Sequence, residues 1–145
     1  MPSKSTTERA RRDLQQGKRP STAAGEFVRE EIEHVRRGKH GARSTRQAIA
    51  IGLSQARRAG VPLQPPKKAQ AKASTRRSAE RDYEVGQGRR KPKAPSSRRS
   101  RATEHALKRE GRGAASRGAL SAHAKRAAAG RRHRGGSSGA SARAR

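Results

Sequence analysis

The stretch from Arg43 to Pro62, RSTRQAIAIGLSQARRAGVP, carries a start signal, an apolar periodicity and a stop signal that all describe one helix. Ser44 and Gln47 stand at the spacing of a capping box, in which the hydroxyl accepts from the Gln47 amide and the Gln47 side chain returns to the Ser44 amide. Ile49, Leu53 and Ala56 then recur at helical spacing, widened by Ala48, Ile51 and Gly52, which predicts one buried face. Gly60 is placed to turn left-handed after the last turn, Val61 to fold back on Ala56, and Pro62 to stop the helix. Arg57 and Arg58 sit where the negative end of the helix dipole favours cations.

A helix with one apolar face needs something to cover it. Upstream, Ser21 or Thr22 can cap a second helix running to Arg37, just before Gly38. Its stripe of Ala24, Phe27, Val28, Ile32 and Val35 is suited to face Ile49 and Leu53. Glu26, Glu30, Glu31 and Glu33 load the first half of this helix and Arg36 and Arg37 close it, matching the dipole at both ends. Two readings of those acids stand open: an exposed face that does little, or a face that meets Arg46 and Arg57. The connector Gly38–Arg43 has a length common between packed helices, so the pair is expected to run antiparallel. Large apolar side chains are few, and the hairpin is expected to need a covering surface: a second copy, the first helix or nucleic acid. That first helix is marked by Ser5 and Glu8, another capping box, and would run from Thr6 to Gln16 with Leu14 as its one large apolar residue.

Outside this region the chain is dominated by charge. It holds 38 Lys and Arg against 11 Asp and Glu, a formal net charge of +27, with 28% hydrophobic and 1% aromatic residues. Such a chain buries too little apolar surface to offset the entropy of ordering, so disorder is the expectation outside short islands. The fold class expected is all-α: a small two-helix hairpin with long, largely disordered basic arms. Five segments follow: 1–20, a polar N-terminal segment with a short helix; 21–63, the hairpin; 64–101, a disordered basic linker; 102–129, weakly helical and Ala/Arg-rich; 130–145, a flexible basic tail. In the linker, Glu80, Asp82 and Glu84 flank Tyr83 and make a locally neutral spot.

The residue inventory argues against catalysis. Cysteine is absent, which removes disulfides, thiolate nucleophiles and Cys-based zinc sites and suits a reducing cytosol. His34, His40, His105, His123 and His133 lack the H-x-x-x-H and H-E-x-x-H spacings, so no metal site is expected. No Gly-rich phosphate loop followed by Lys and Ser or Thr occurs. No enzyme activity, cofactor or small-molecule substrate is expected. The N-terminus lacks the apolar core of a secretory signal and no run is long enough to span a bilayer, so a cytoplasmic setting without membrane contact is expected.

What remains is binding to a polyanion. Each Lys or Arg that neutralises a phosphate releases condensed counterions, giving tight, salt-sensitive binding with little sequence preference. The residues expected to do this are Lys39, Arg43, Arg46, Arg57 and Arg58 around the hairpin, then Lys67, Lys68, Arg76 and Arg77. Arg89, Arg90, Lys91, Lys93, Arg98, Arg99 and Arg101 follow, and the C-terminal part adds Lys125, Arg126, Arg131, Arg132 and Arg134. Residues 64–145 hold 24 of the 38 basic residues and 5 of the 11 acids, so most binding power is expected there. With Phe27 and Tyr83 the only aromatics, there is no platform for stacking single-stranded bases. A helix-turn-helix stays open, with Arg46 and Gln47 at the start of its second helix.

The RQAIAIGLSQAR run, preceded by a helix with a Glu-rich start and a Gly-Lys-His-Gly connector, resembles a bacterial family of small Lys/Arg-rich proteins catalogued only as a domain of unknown function. The resemblance covers residues 21–63 and implies no activity, but it implies a bacterial cytoplasmic setting. The tail is similar in composition alone to histone-H1-like arms of nucleoid proteins. The function expected is non-catalytic, largely sequence-independent nucleic-acid binding of the nucleoid-associated, DNA-compacting kind. Two rivals remain: a protein-interaction or dimerisation module using the 21–60 hairpin with a basic tail, and an RNA- or ribosome-associated factor.

Overall fold

The computed structural model describes residues 2–137, with side chains to His133. Six helices follow one another: α1 (Lys4–Gln15), α2 (Pro20–Arg36), α3 (Thr45–Arg58), α4 (Ala73–Gly86), α5 (Ser97–Arg109) and α6 (Arg117–Ser137), with a single 3-10 turn, Gly113–Ala115, before the last. No strand occurs among the described residues.

The α2–α3 pair lies at the centre. Phe27 packs with Ala56 at one end and Val35 with Ala48 at the other, so the two helices run antiparallel. The start of α3 follows the sequence closely: Ser44 Oγ accepts from Gln47 N at 3.1 Å. The return half of the box differs, because Gln47 Oε1 accepts from Arg43 N at 2.7 Å. At the far end Gly60 has φ +99°, Gly60 N donates to Arg57 O and Val61 N to Ala56 O, and Val61 is buried beside Ala56. These two bonds satisfy carbonyls that the helix end would otherwise leave unpaired. The start of α2 departs from expectation. Pro20 occupies its first turn, where a missing N–H costs nothing, and neither Ser21 nor Thr22 caps it.

The expectation of a two-helix hairpin with long, largely disordered arms is overturned, because both arms fold onto the pair. In the first arm, Ser3 caps α1 by accepting from Thr6 N, and α1 lays Thr6 and Ala10 on α2 beside Ala23, Ala24 and Phe27. Ser3 N also donates to both carboxylate oxygens of Glu30, at 2.9 and 3.2 Å, and Glu26 receives Arg9 Nε at 2.7 Å. Burial raises the Glu30 pKa, but the Ser3 and Thr6 hydrogen bonds and the nearby His34 outweigh it and leave the carboxyl below its usual range. The acids of α2 thus meet α1, their own helix, the connector and Gln55 of α3; neither Arg46 nor Arg57 is their partner.

The segment 64–101, expected as a disordered linker, contains α4 and the start of α5. Ala79 is buried, Asp82 accepts from Ser54 Oγ at 2.6 Å and faces Arg58 Nε at 3.6 Å, and Gln87 Nε2 donates to Gly60 O. The neutral spot around Tyr83 is therefore a docking face for α3. The weakly helical region 102–129 divides into α5, which starts earlier than expected, and α6. Between them the chain crosses the α2–α3 connector: Gly41 N donates to Leu107 O and Ala42 N to Gly111 O. Ala115 is fully buried with Ile32, Val35, Ala42 and Ala48, and Leu120 packs on the same cluster. Arg36 Nε donates to Ala115 O at 2.9 Å and Thr45 Oγ1 to Ala114 O at 2.6 Å, which fixes the turn. The tail expected to be flexible from Gly130 continues α6 to Ser137, and residues 138–145 lie outside the described residues.

Candidate nucleic-acid interface

Most of the described acids pair with basic groups of the same fold, and most of the described Lys and Arg side chains stay exposed. Asp13 pairs with Lys18, Glu26 with Arg9, Glu33 with Arg36 and Arg37, Asp82 with Arg58, Glu84 with Arg90 and Glu104 with Lys108. Most of these pairs are exposed and contribute little to stability. Their effect is to settle which cations stay uncommitted.

Among the basic residues read from the sequence, Lys39, Arg43, Arg46, Lys67, Lys68 and Arg77 are exposed and belong to no ion pair among the described residues, as do Lys91, Lys93, Arg98, Arg99, Lys125, Arg126, Arg131 and Arg132. Arg58 and Arg90 are exposed but paired to acids. Arg89 is exposed over the ring of Tyr83, 5.9 Å from its centroid, and Arg101 Nε donates to Ser97 O. Arg76 is half-buried on α4, and its Nε is buried without a partner. The side chain of Arg134 lies outside the described side chains.

Arg57 is in a different position from all of these. It is 9% exposed, its Nε donates to Leu63 O at 3.1 Å and its Nη2 to Gln64 O at 3.3 Å. Burial lowers the pKa of its guanidinium and the charge of Asp82 works against that. Arg57 ties the end of α3 to the loop that follows, and its guanidinium is turned inward.

Folding brings together residues that are far apart in the sequence. Ser44, Thr45 and Arg46 at the amino end of α3 share a cleft of about 820 Å³ with Gln70 and with His123, Arg126, Ala127, Gly130 and Arg131 of α6. No carboxylate lines it. The amino end of α3, the positive end of its dipole, borders the same space, which favours anions. A second groove, of about 690 Å³, is lined by Lys39, Lys93, Arg99 and Lys108, and its one acid, Glu104, is held by Lys108 at 2.7 Å. Sequence clustering alone gives neither grouping, because Arg46 and Arg126 meet through the docking of Ala115.

The histidines also sort themselves. His105 and His133 are exposed and His123 lines the α6 cleft. His34 and His40 converge with Glu31, and one ligating atom from each of the three lies within 4.8 Å of the others. The Glu31/His34 spacing along one helix face and the helix-ending Gly38 are the sequence signals that bear on this cluster. The fold of the connector, which no spacing rule gives, completes it.

No helix among the described residues is long and apolar enough to cross a membrane. Residues 17–68, well under half of the chain, match a family of unknown function (DUF6496), and the RQAIAIGLSQAR run lies inside the matched segment. No curated protein and no solved structure matches the chain.

Proposed function

We propose that this protein binds nucleic acid, duplex DNA foremost, through phosphate contacts of exposed Lys and Arg side chains, with little sequence preference and no catalytic step. The observation that supports this reading is the cleft in which Arg46, Arg126 and Arg131 stand around the amino end of α3 with no carboxylate beside them. A surface that is basic only for solubility needs no such convergence. In this reading Arg46, Arg126 and Arg131 grip one stretch of backbone, and Lys39, Lys93 and Arg99 extend the contact along the second groove. A compact basic body of this kind, binding in a bacterial nucleoid, would compact DNA by neutralising and bridging phosphates.

The rival reading, that the hairpin dimerises through its apolar stripe, is less favoured because α1 and the Gly113–Ala115 turn already cover Phe27, Ile32 and Val35. The test is the affinity of the purified full chain, stripped of nucleic acid, for a 30-bp duplex of two unrelated sequences and for a hairpin RNA. Between roughly 50 and 200 mM salt the DNA affinity is expected to fall by about 10³-fold or more, equally for both duplexes. A flat salt response, or no binding in dilute buffer, overturns the proposal. Tighter and equally salt-sensitive binding to RNA moves it to the RNA reading.

A further inference from the structure

The α2–α3 connector places two imidazoles against one buried carboxylate. Glu31 is 1% exposed, and His40 Nε2 lies 2.7 Å from its Oε1, yet Oε1 makes no hydrogen bond. On its other side the His40 ring is held by the connector, with Nδ1 2.8 Å from Gly41 O, so Nε2 is the ring nitrogen that faces Glu31. A carboxylate oxygen buried without a hydrogen bond is costly, and a nitrogen ligand stands beside it. A cation bound there would satisfy that oxygen.

His34 supplies the third group. Its Nδ1 faces Glu31 Oε2 at 3.7 Å, and its Nε2 faces Glu30 Oε1 at 3.7 Å, so a carboxylate stands behind the imidazole. Gln55 Nε2 approaches Glu31 Oε2 at 3.4 Å from α3. These are the outer contacts that orient metal-bound histidines and carboxylates: a carbonyl behind one ring, a carboxylate behind the other, an amide at the free oxygen. The two rings meet edge to face, with centroids 6.3 Å apart.

We propose that Glu31, His34 and His40 bind one divalent ion of the zinc class, with water in the fourth position. Two imidazole nitrogens and one carboxylate oxygen suit a borderline ion, and Zn²⁺ accepts a four-coordinate arrangement of this set. Bonds of about 2.0–2.2 Å place tetrahedral ligand atoms about 3.4 Å apart, between the 2.7 Å of the His40–Glu31 pair and the 3.7 Å of the His34–Glu31 pair, so small shifts of the three side chains reach that spacing. The ion clips the connector to α2. Since Gly41 and Ala42 of that connector carry the backbone bonds to Leu107 and Gly111, metal would stiffen the junction on which the C-terminal half docks.

The test uses the full chain, treated with chelator and freed of nucleic acid, titrated with Zn²⁺ against a chromophoric competitor and separately with Co²⁺. One equivalent is expected to bind, with a Co²⁺ absorption band of four-coordinate type, and to raise Tm. His34→Ala and His40→Ala, both at half-buried positions, are expected to weaken binding by about 100-fold while keeping the helical circular dichroism; His105→Ala is expected to bind like the parent. Absence of a saturable equivalent in the parent chain overturns the proposal, as does equal affinity in the parent and in His34→Ala/His40→Ala. If a histidine variant loses its helical signal, the Co²⁺ spectrum and stoichiometry of the parent chain decide alone.

Discussion

Gly52 of α3 lies directly against the backbone of Val28 on α2. A Cβ at position 52 would stand 2.7 Å from Val28 Cα and 2.9 Å from its N, closer than carbon atoms approach without displacement. Gly52 is therefore a point of close approach in the central pair, and its lack of a side chain permits that separation of the two helices. Gly52→Ala gains about 1 kcal/mol of helix propensity but forces two backbones apart across a packed seam, which costs about 1–3 kcal/mol. The expected outcome is net destabilisation, read as a lower Tm with unchanged helical content below the transition. A variant as stable as the parent would mean that the pair slides freely at this point.

Arg57 provides a separation of roles among the basic residues. Its guanidinium holds Leu63 O and Gln64 O from a buried position, so Arg57→Met leaves two carbonyls short of a donor. Hydrogen bonds from a charged group contribute about 1.5–3 kcal/mol each, and part of that is regained by removing a buried charge. The variant is expected to lose about 1–3 kcal/mol by denaturant titration while its DNA affinity at low temperature stays within a factor of about two, since an inward guanidinium touches no phosphate. A large loss of affinity in a well-folded Arg57→Met would place Arg57 in the interface.

These two residues also mark how far the sequence reaches. The start of α3, its stripe and its left-handed end at Gly60 follow from local rules, because capping and periodicity act over a few residues. The antiparallel partner follows from a second stripe at the right distance. The arms do not follow, because counting large apolar residues misses how they are held. Ala10, Ala79 and Ala115 are buried but small, and at the connector Gly41, where a Cβ would clash with the Glu110 backbone, lets two backbones approach closely enough for the bond from Gly41 N to Leu107 O. Cohesion of that kind rests on small residues and long-range backbone pairing, and composition reads the same residues as flexible. The basic candidates were legible as a class, since charge excess is visible in any order. Their grouping was not, because Arg46 meets Arg126 only after Ala115 has docked.

Thr45 tests that docking directly. Its Oγ1 donates to Ala114 O at 2.6 Å across 69 residues, and the side chain is 6% exposed. Thr45→Val keeps the shape and removes the donor, leaving a carbonyl without its partner at a cost of about 1–3 kcal/mol. Because the bond joins α3 to the turn before α6, amides of α6 and of the Gly113–Ala115 turn are expected to exchange faster with deuterium, whereas those of α1 and α2 beyond the contact keep their protection. Uniform acceleration across all helices would show that the C-terminal half unfolds with the core as one unit.

The cleft between α3 and α6 makes the sharpest prediction about binding. Arg46, Arg126 and Arg131 are exposed and form no ion pair among the described residues, so replacing them disturbs little of the fold. Surface substitutions of this kind typically change stability by less than about 0.5 kcal/mol. Each phosphate left without its cation lowers the slope of log affinity against log salt by about 0.9 for duplex DNA. The triple variant Arg46→Ala/Arg126→Ala/Arg131→Ala is therefore expected to show a slope shallower by about 2–3 than the parent, together with weaker binding at every salt concentration. As a control of equal charge loss, Lys67→Ala/Lys68→Ala/Arg77→Ala removes three exposed cations that do not share the cleft. If phosphates are gripped where the two helices converge, the first triple changes the slope more than the second. Equal slopes would mean that the excess charge acts as a diffuse coat, and that the convergence of Arg46, Arg126 and Arg131 has no role in binding.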